Sequence, residues 1–264
     1  MRMVMQTFLQ SLHIQRRVIS ALLKREIITR YGRNIIGFMW LFVEPLVMTL
    51  IIALFWKYAR GDTRAGLPVI AFMITGYPIA MLWRNGANRS SKAIGSNKGM
   101  LYHRNVRVLD LFLSRLLLEI FGTTTAFVLI MLGFYLVGWI SQPADILYMV
   151  YAWLLMAWFA LGLGLVVGSL SERYEVFGRM WSMLSFVMFP LSGIFYMVDA
   201  LPKKAQEMVL HFPMVHGTEM MRQGYFGARI HTHEDVVFVI VVNLVLLLLG
   251  LMLVKKYGRG IDAS

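Results

Sequence analysis

Residues 24–56 read KREIITRYGRNIIGFMWLFVEPLVMTLIIALFW. The stretch begins with basic residues, and from Ile35 it continues for 22 residues in which Glu44 is the single charged side chain. About 20 apolar residues in a helix cross the hydrocarbon layer of a membrane, and basic residues beside such a span stay on the cytoplasmic side. The stretch therefore predicts a first transmembrane helix over residues 35–56 with a cytoplasmic N-terminus.

The composition of the whole chain indicates a membrane protein. Of 264 residues, 58% are hydrophobic and 15% are charged, whereas an ordinary soluble domain has about 25% charged residues. The apolar runs predict an all-α integral membrane protein with six spans, at residues 35–56, 67–83, 120–140, 146–170, 176–198 and 236–254. Lys and Arg divide between alternate connections as 19 to 7, which predicts that both termini are cytoplasmic.

The segments between and before the spans have distinct patterns. Residues 1–34 carry apolar side chains at helical spacing opposite basic ones, which is typical of an amphipathic interface helix. Residues 84–107 contain Gly, Ser and Asn and predict a cytoplasmic loop with at most one short helix. Residues 199–235 are too apolar for a solvated loop and are broken at Pro213, which predicts two short re-entrant helices on the periplasmic side. Residues 256–264 are predicted to be a cytoplasmic tail.

Several polar residues lie where apolar ones are expected. Glu44 and Pro45 are costly inside a span, so we expect the first span to face protein or a water-filled path. His216, Glu219 and Arg222 recur every three residues, which stacks them on one helical face. Glu219 and Arg222 are the predicted charge pair of this ladder.

Two further spacings predict contacts between or along helices. Arg115 and Glu119 are four residues apart, which puts opposite charges side by side on a helix. Gly162, Gly164 and Gly168 in the fourth predicted span are small enough to allow close helix contact.

Several kinds of chemistry are not expected. No Gly-x-x-x-x-Gly-Lys-[Ser/Thr] sequence occurs, so we expect no ATP hydrolysis through a P-loop in this chain. The chain has no cysteine, which excludes disulfides and cysteine metal sites. His231 and His233 have no third ligand at an evident position, so no metal or other cofactor is predicted. The net charge of +12 lies in connections between spans, which favours a membrane surface over nucleic acid as its partner.

Two segments resemble a known family. Residues 30–45 match a pattern of the first span in permease subunits of ABC-type polysaccharide exporters, Arg-Tyr-x(4–5)-Gly-x-x-Trp-x-x-x-x-Pro. The matching residues are Arg30, Tyr31, Gly37, Trp40 and Pro45. Downstream, FPLSGIFYMVDALP (189–202) is followed by HFPMVHGTEMMRQGYFG (211–227), which contains Pro-x-x-His-x-x-Glu-x-x-Arg. Together these segments resemble the capsular polysaccharide export permease of Gram-negative bacteria.

The resemblance implies the inner-membrane subunit of an exporter for a lipid-linked, acidic capsular polysaccharide. It implies a second copy of the chain and two separate ATP-binding subunits, which hold ATP and Mg²⁺. A periplasmic polysaccharide co-polymerase and an outer-membrane export channel would complete the route. Export of another glycan, such as an O-antigen or teichoic acid, is an alternative within transport, and a membrane-bound glycan-modifying enzyme is the alternative from another class.

The resemblance also implies roles for individual residues. Spans one and five line the path in related exporters, and sugar rings stack on aromatic faces. The path candidates are Phe38, Trp40, Phe42, Glu44, Phe186, Phe189, Phe195 and Tyr196. The candidates for docking on the ATPase are Ser90, Ser91, Lys92, Ala93, Ile94, Gly95 and Ser96. The candidates for a periplasmic gate are Pro213, His216, Glu219 and Arg222.

Overall fold

A computed structural model shows a chain that is almost entirely helical. It describes residues 2–31, 35–61, 63–64, 66–95 and 106–261. Its α-helices are α1 (Arg2–Tyr31), α2 (Ile35–Arg60), α3 (Val69–Ser90), α4 (Val108–Leu136), α5 (Ile146–Arg173), α6 (Glu175–Leu191), α7 (Lys203–Val209), α8 (Pro213–Phe226) and α9 (Val236–Ile261). Two-residue strands β1 (Thr63–Arg64) and β2 (Leu67–Pro68) pair antiparallel between α2 and α3. The predicted helical fold class is confirmed, with this short hairpin added.

Within the described residues, four helices are long and apolar enough to cross a membrane. Their apolar segments are Phe42–Ala59, Val108–Leu136, Ile146–Arg173 and Val236–Tyr257. Each overlaps one of the six predicted spans. Helices α3 and α6 occupy the other two predicted positions. However, α6 has 17 residues and is therefore about 26 Å long, a little shorter than a hydrocarbon core of about 30 Å.

Helix α3 is surrounded by protein, which explains its weaker apolar character. Of its 22 residues, 17 are buried, and it packs against α2, α4, α5 and α8. A helix with protein on most sides needs no continuous apolar surface toward lipid. It therefore tolerates Pro78, Asn85 and Asn88 within its length.

Helix α5 lies at the centre of the packing, and its glycines bring its neighbours close. It contacts α3, α8 and α9. A Cβ at Gly168 would overlap the Phe112 ring of α4, and a Cβ at Gly162 would lie 3.0 Å from Leu246 of α9. A Cβ at Gly164 would also meet α4, at 2.6 Å. The close helix contacts predicted at these glycines are confirmed.

Two predicted boundaries are wrong. The loop predicted over residues 84–107 begins too early, because α3 remains helical to Ser90. Gly86 lies against both α4 and α5, and this packing outweighs the low helix propensity of glycine and asparagine. The fifth predicted span, residues 176–198, ends too late, because α6 stops at Leu191. The chain turns at Gly193, where φ is +82°.

Helix α1 lies against the first turns of α4. Glu26 of α1 forms an ion pair of 2.9 Å with Arg115 of α4. The Gln15 amide donates to the Asp110 carboxylate, and Leu22 is buried. A helix is present where the amphipathic segment was predicted, and its apolar contacts include protein.

Candidate translocation site

A cavity of about 330 Å³ with both polar and apolar lining lies between α2, α3 and α4. Its wall contains charged, aromatic and hydroxyl groups, which are Glu44, Tyr77, Arg84, Arg89, Glu119 and Thr123. Gly122 and Thr123 of α4 present little side-chain volume here, and this leaves space between the helices. Glu44, whose helix is predicted to face protein or a water-filled path, lies in this wall.

An ion-pair network spans the cavity. Arg89 Nε lies 2.6 Å from Glu119 Oε2, and Arg89 Nη2 lies 3.8 Å from Glu44 Oε1. The Glu119 side chain is 6% exposed, while those of Arg89 and Glu44 are 30% and 44% exposed. One arginine from α3 therefore faces carboxylates from both neighbouring helices, and the Glu44 side remains open to solvent.

The same network reaches α1 through Arg115. Arg115 Nη1 donates to the Arg89 backbone oxygen at 3.1 Å, and Arg115 also pairs with Glu26. Arg115 and Glu119, predicted to pair along α4, have partners on other helices: Arg115 contacts Glu26 of α1, and Glu119 contacts Arg89 of α3. These contacts connect α1 and the end of α3 to the wall of the cavity.

Aromatic side chains adjoin the cavity. Phe189 of α6 packs edge-to-face against Tyr77, with ring centroids 5.7 Å apart. The Arg84 guanidinium lies 4.8 Å from the centroid of the Phe189 ring. Farther along, Phe195 stacks on Trp56 of α2 with a centroid separation of 5.4 Å. Rings of α6 and of the turn after it therefore meet α2 and α3.

The other predicted path residues lie elsewhere. Phe42 packs against Phe121 of α4, and Tyr196 donates its hydroxyl to the Leu191 backbone oxygen at 2.6 Å. Trp40 and Phe186 are 55% and 70% exposed on the surface of this single chain. The Phe38 side chain is outside the described residues. The structure thus brings only part of the predicted set to the cavity.

Three charged cavity residues are not among the predicted path residues. Arg84 and Arg89 lie within the predicted loop, and Glu119 is predicted only as the partner of Arg115. The sequence contains a signal for this cavity, because two arginines follow an apolar segment and lie about one and a half helical turns apart. Recognising it required knowing that α3 continues to Ser90.

The α8 segment holds all four predicted gate residues. Pro213 occupies the first turn of α8, where its missing N–H needs no partner, so a new short helix begins where the sequence predicted a break. His216, Glu219 and Arg222 are all buried. The three-residue ladder predicted from the sequence therefore points into protein.

His216 connects α8 to the segments on either side of it. Its Nε2 lies 2.7 Å from the Leu210 backbone oxygen, and its Nδ1 accepts from the Asp235 backbone N–H at 2.9 Å. Both contacts are satisfied by a neutral ring with its proton on Nε2. Burial lowers the pKa of His216, which favours this neutral form.

The charged members of the ladder are held mainly by backbone groups. Arg222 donates to the backbone oxygens of Tyr196 at 2.6 Å and Ile194 at 2.8 Å. Glu219 Oε1 accepts from the Val198 backbone N–H at 3.5 Å, and burial raises the pKa of Glu219 although Arg222 opposes this. The two side chains approach to 3.9 Å. The predicted charge pair is present, but it is longer than a hydrogen bond.

The predicted ATPase-docking residues 90–95 form the end of α3 and the turn after it. Ser90 Oγ donates to the Gly86 backbone oxygen and Ser91 Oγ to that of Asn88. Ala93 and Ile94 are buried against the start of α4. Lys92 and Gly95 are exposed, while Ser96 is outside the described residues. The turn is therefore fixed to α4 and presents few side chains outward.

The residues of the family signature lie at the end of α1 and in the first half of α2. Gly37, Trp40 and Pro45 are in α2, and Arg30 and Tyr31 end α1. The side chains of Arg30 and Tyr31 are outside the described residues. Inside α2, Thr49 Oγ1 donates to the Pro45 backbone oxygen at 2.7 Å.

Comparison with known proteins now identifies the family. Residues 17–226 match the family model described as ABC-2 type transporter, which covers most of the chain. This chain belongs to the ABC-2 type transporter family. The resemblance found in the sequence is thereby confirmed, and the cavity and the α8 ladder both lie within the matched region.

Individual members of the family are similar over nearly the full length. The capsule polysaccharide export inner-membrane protein CtrC of Neisseria meningitidis serogroup B is 56% identical over 256 residues, which is 97% of each chain. The capsule polysaccharide export inner-membrane protein BexB of Haemophilus influenzae is 53% identical with the same coverage. The polysialic acid transport protein KpsM of Escherichia coli is 26% identical over 95% of this chain and 97% of KpsM. These ABC-2 relatives are named for export and transport.

Proposed function

We propose that this chain is the transmembrane subunit of an ATP-driven exporter that moves capsular polysaccharide across the inner membrane. The observation that carries the proposal is the similarity to CtrC and BexB over 97% of the chain. The absence of a P-loop sequence supports ATP hydrolysis by a separate subunit. Similarity to a polysialic acid transport protein supports an acidic polymer as the substrate, and we propose that this polymer is lipid-linked.

The proposed topology has six spans with both termini in the cytoplasm. The four long apolar helices support four of these spans, and α3 and α6 would provide the other two. Helices α7 and α8 are too short to span and would dip into the membrane from the periplasmic side. Irregular backbone at that depth requires protein partners, and the hydrogen bonds of Arg222 and His216 with carbonyls support this position.

The proposed substrate path passes the cavity between α2, α3 and α4. Arg84 and Arg89 would attract an acidic polymer, and the rings of Tyr77 and Phe189 would stack on sugar faces. The second copy of the chain that the family resemblance implies would pack beside α6, where Met183 and Phe186 are exposed. The path would then run between two protomers, with α8 as the periplasmic gate.

The proposed partners act at both ends of this path. Two ATP-binding subunits carrying ATP and Mg²⁺ would dock near the turn at residues 90–96. The contacts of Arg115 with Arg89 and Glu26 support transmission from that turn to the cavity. A periplasmic co-polymerase and an outer-membrane channel would receive the polymer.

The test uses a capsulated strain that lacks its own permease. The chain is expressed with its cognate ATPase subunit, and surface and intracellular glycan are measured. We expect surface capsule with the unaltered chain, and intracellular glycan with Arg84→Gln at an unchanged protein level. The matched control is Arg229→Gln, since Arg229 is exposed in the turn after α8 and should export normally.

The outcomes separate the parts of the proposal. No surface glycan from the unaltered chain would contradict the assigned function, and export of a different glycan class would favour the O-antigen or teichoic acid alternative. Normal export by Arg84→Gln would remove the cavity from the path. Lys92→Glu should weaken co-purification with the ATPase subunit, and unchanged co-purification would move the docking site elsewhere.

A further inference from the structure

Two histidines and one aspartate converge outside the cavity and the α8 ladder. Asp199 lies in the short 3-10 turn that follows α6, and His231 and His233 lie in the connection between α8 and α9. Asp199 Oδ1 is 3.7 Å from His231 Nδ1 and 3.2 Å from His233 Nε2. The three ligand atoms all lie within 4.8 Å of one another. The fold thus supplies the third ligand that the sequence did not reveal.

We propose that Asp199, His231 and His233 bind a divalent transition-metal ion, with zinc as the best match. Ligand atoms at about 2.0–2.2 Å from one tetrahedral zinc ion lie roughly 3.3–3.6 Å from each other. The two measured separations from Asp199 Oδ1, 3.2 and 3.7 Å, are close to that geometry. The ligand atoms of His231 and His233 lie within 4.8 Å of each other, and rotation of the exposed His231 imidazole would bring them closer.

The chemistry of the three ligands selects the class of metal. Imidazole nitrogens favour zinc, copper, nickel and iron, while calcium and magnesium prefer an all-oxygen shell. Three protein ligands leave a fourth position for water. Asp199 and His231 are more than half exposed, so an ion from solution reaches them without any opening of the fold.

The neighbouring acidic residues already have structural partners. Glu234 Oε1 accepts from the Tyr148 hydroxyl at 3.0 Å. Asp235 Oδ1 accepts from the Phe238 backbone N–H at 2.9 Å at the start of α9. This leaves Asp199 as the carboxylate that faces both histidines.

The ligands are held side by side by a buried carboxylate beneath them. Glu219 of α8 accepts from the Val198 backbone N–H, and the His233 backbone N–H faces the same carboxylate. Thr232, between the two histidines, donates to Gln223 of α8 at 3.0 Å. Ligands positioned by packing and by outer hydrogen bonds give a more precise metal site. A bound ion would join the segment after α6 to the segment before α9, directly over α8.

The experiment measures zinc binding by the full chain. The protein is purified in detergent with an affinity tag that contains no histidine, stripped with a chelator, and titrated with zinc chloride against a zinc-sensitive dye. We expect one zinc ion per chain. His231→Ala and His233→Ala should each weaken the affinity by at least about tenfold, and Asp199→Asn should weaken it as well.

His211→Ala is the matched control, because His211 is an exposed histidine that contacts the Glu207 backbone oxygen. It should bind zinc like the unaltered chain. Each variant is first shown to have an unchanged unfolding temperature in metal-free buffer, which separates ligand loss from misfolding. Failure of the unaltered chain to bind one zinc ion would overturn the proposal. Full affinity in the double variant His231→Ala/His233→Ala, or in Asp199→Asn, would also overturn it.

Discussion

The guanidinium of Arg222 lies 3.7 Å from the centroid of the Phe72 ring, so a buried cation of α8 rests on an aromatic face of α3. Its Nη groups donate to the backbone oxygens of Tyr196 and Ile194. The cation–π contact and the charge-assisted hydrogen bonds offset desolvation of the charge. Because Gly76 of α3 has no side chain, there is space for the Arg222 guanidinium; a Cβ at Gly76 would lie 2.9 Å from Nη2. Arg222 therefore joins α8 to α3 and to the turn after α6.

Arg222→Lys should destabilise the chain although it keeps the charge. A lysine ammonium cannot reproduce the planar fork that reaches both carbonyls, and a hydrogen bond to a charged group contributes about 1.5–3 kcal/mol. We expect a loss of that size, measured by thermal unfolding of the purified chain in detergent. Glu219→Gln should cost less, because Glu219 is 3.9 Å from Arg222. A larger loss for Glu219→Gln would show that the charge pair, not the carbonyl contacts, holds the ladder.

The close approach of α8 to α5 predicts a difference between two glycines. A Cβ at Gly224 would lie 2.9 Å from the Met149 backbone nitrogen and 3.0 Å from the Asp145 backbone oxygen. A Cβ at Gly217 would instead meet the Met156 side chain, which is flexible enough to move. Gly224→Ala should therefore lower stability by about 1–3 kcal/mol through overpacking, and Gly217→Ala by less. Thermal unfolding in detergent measures which variant loses more stability, and equal losses in the two variants would contradict the prediction.

The α8 ladder was predictable because its information is local. A three-residue spacing within one helix places His216, Glu219 and Arg222 on one face whatever the rest of the fold does. The start of α8 at Pro213 also follows from a local rule, since proline is favoured in the first turn of a helix. What the sequence did not show was that backbone carbonyls, rather than Glu219, are the close partners of Arg222.

The cavity was less predictable because its residues come from three helices. Periodicity indicates which face of a helix is apolar, but it does not indicate which neighbour that face meets. Glu44, Arg89 and Glu119 become neighbours only through the packing of α2, α3 and α4. The same reason applies to Asp199 and the two histidines, which are more than 30 residues apart in sequence.

The six-span topology predicts which engineered cysteines are accessible. The chain has no native cysteine, so labelling with an impermeant thiol reagent has no background. Lys204→Cys and Gln142→Cys, at exposed positions after α6 and before α5, should label in intact spheroplasts. Glu175→Cys, at the exposed start of α6, should label only after lysis. Labelling of Glu175→Cys in intact spheroplasts would contradict a spanning α6.

His216 predicts a loss of stability in acid. Its Nδ1 accepts from the Asp235 backbone N–H, and protonation of that nitrogen would remove this contact. Because burial lowers the pKa of His216, the unfolded chain binds a proton near pH 6.5 that the native chain does not. Stability from the neutral ring is therefore fully present above about pH 6.5 and declines as the pH falls toward the lower native pKa.

The measurement is the unfolding temperature at about pH 7.5 and about pH 5.5, with a chelator present to remove metal effects. His216→Gln should reduce the difference between the two values. His211→Gln, at an exposed histidine, is the matched control and should retain the difference. If His216→Gln shows the same acid-induced loss of stability as the unaltered chain, other groups cause that loss.

The last prediction compares two ion pairs that have equal length but different burial. Arg89–Glu119 and Arg179–Glu175 both have an N–O distance of 2.6 Å, but the Glu119 side chain is 6% exposed and that of Glu175 is 83% exposed. Breaking a buried pair leaves an uncompensated charge and costs about 3–5 kcal/mol, whereas exposed pairs contribute little. Since Arg89 is 30% exposed, Glu119→Gln should cost about 1–3 kcal/mol, between the limits for exposed and buried pairs.

Glu175→Gln is the matched control and should leave the unfolding temperature unchanged within error. A double-mutant cycle with Arg89→Met separates the pair from the other contacts of Glu119, because only the coupling between the two substitutions reports their interaction. The coupling should be positive, with the double variant less destabilised than the sum of the single variants. Additive losses, or equal effects of Glu119→Gln and Glu175→Gln, would mean that burial does not strengthen the pair.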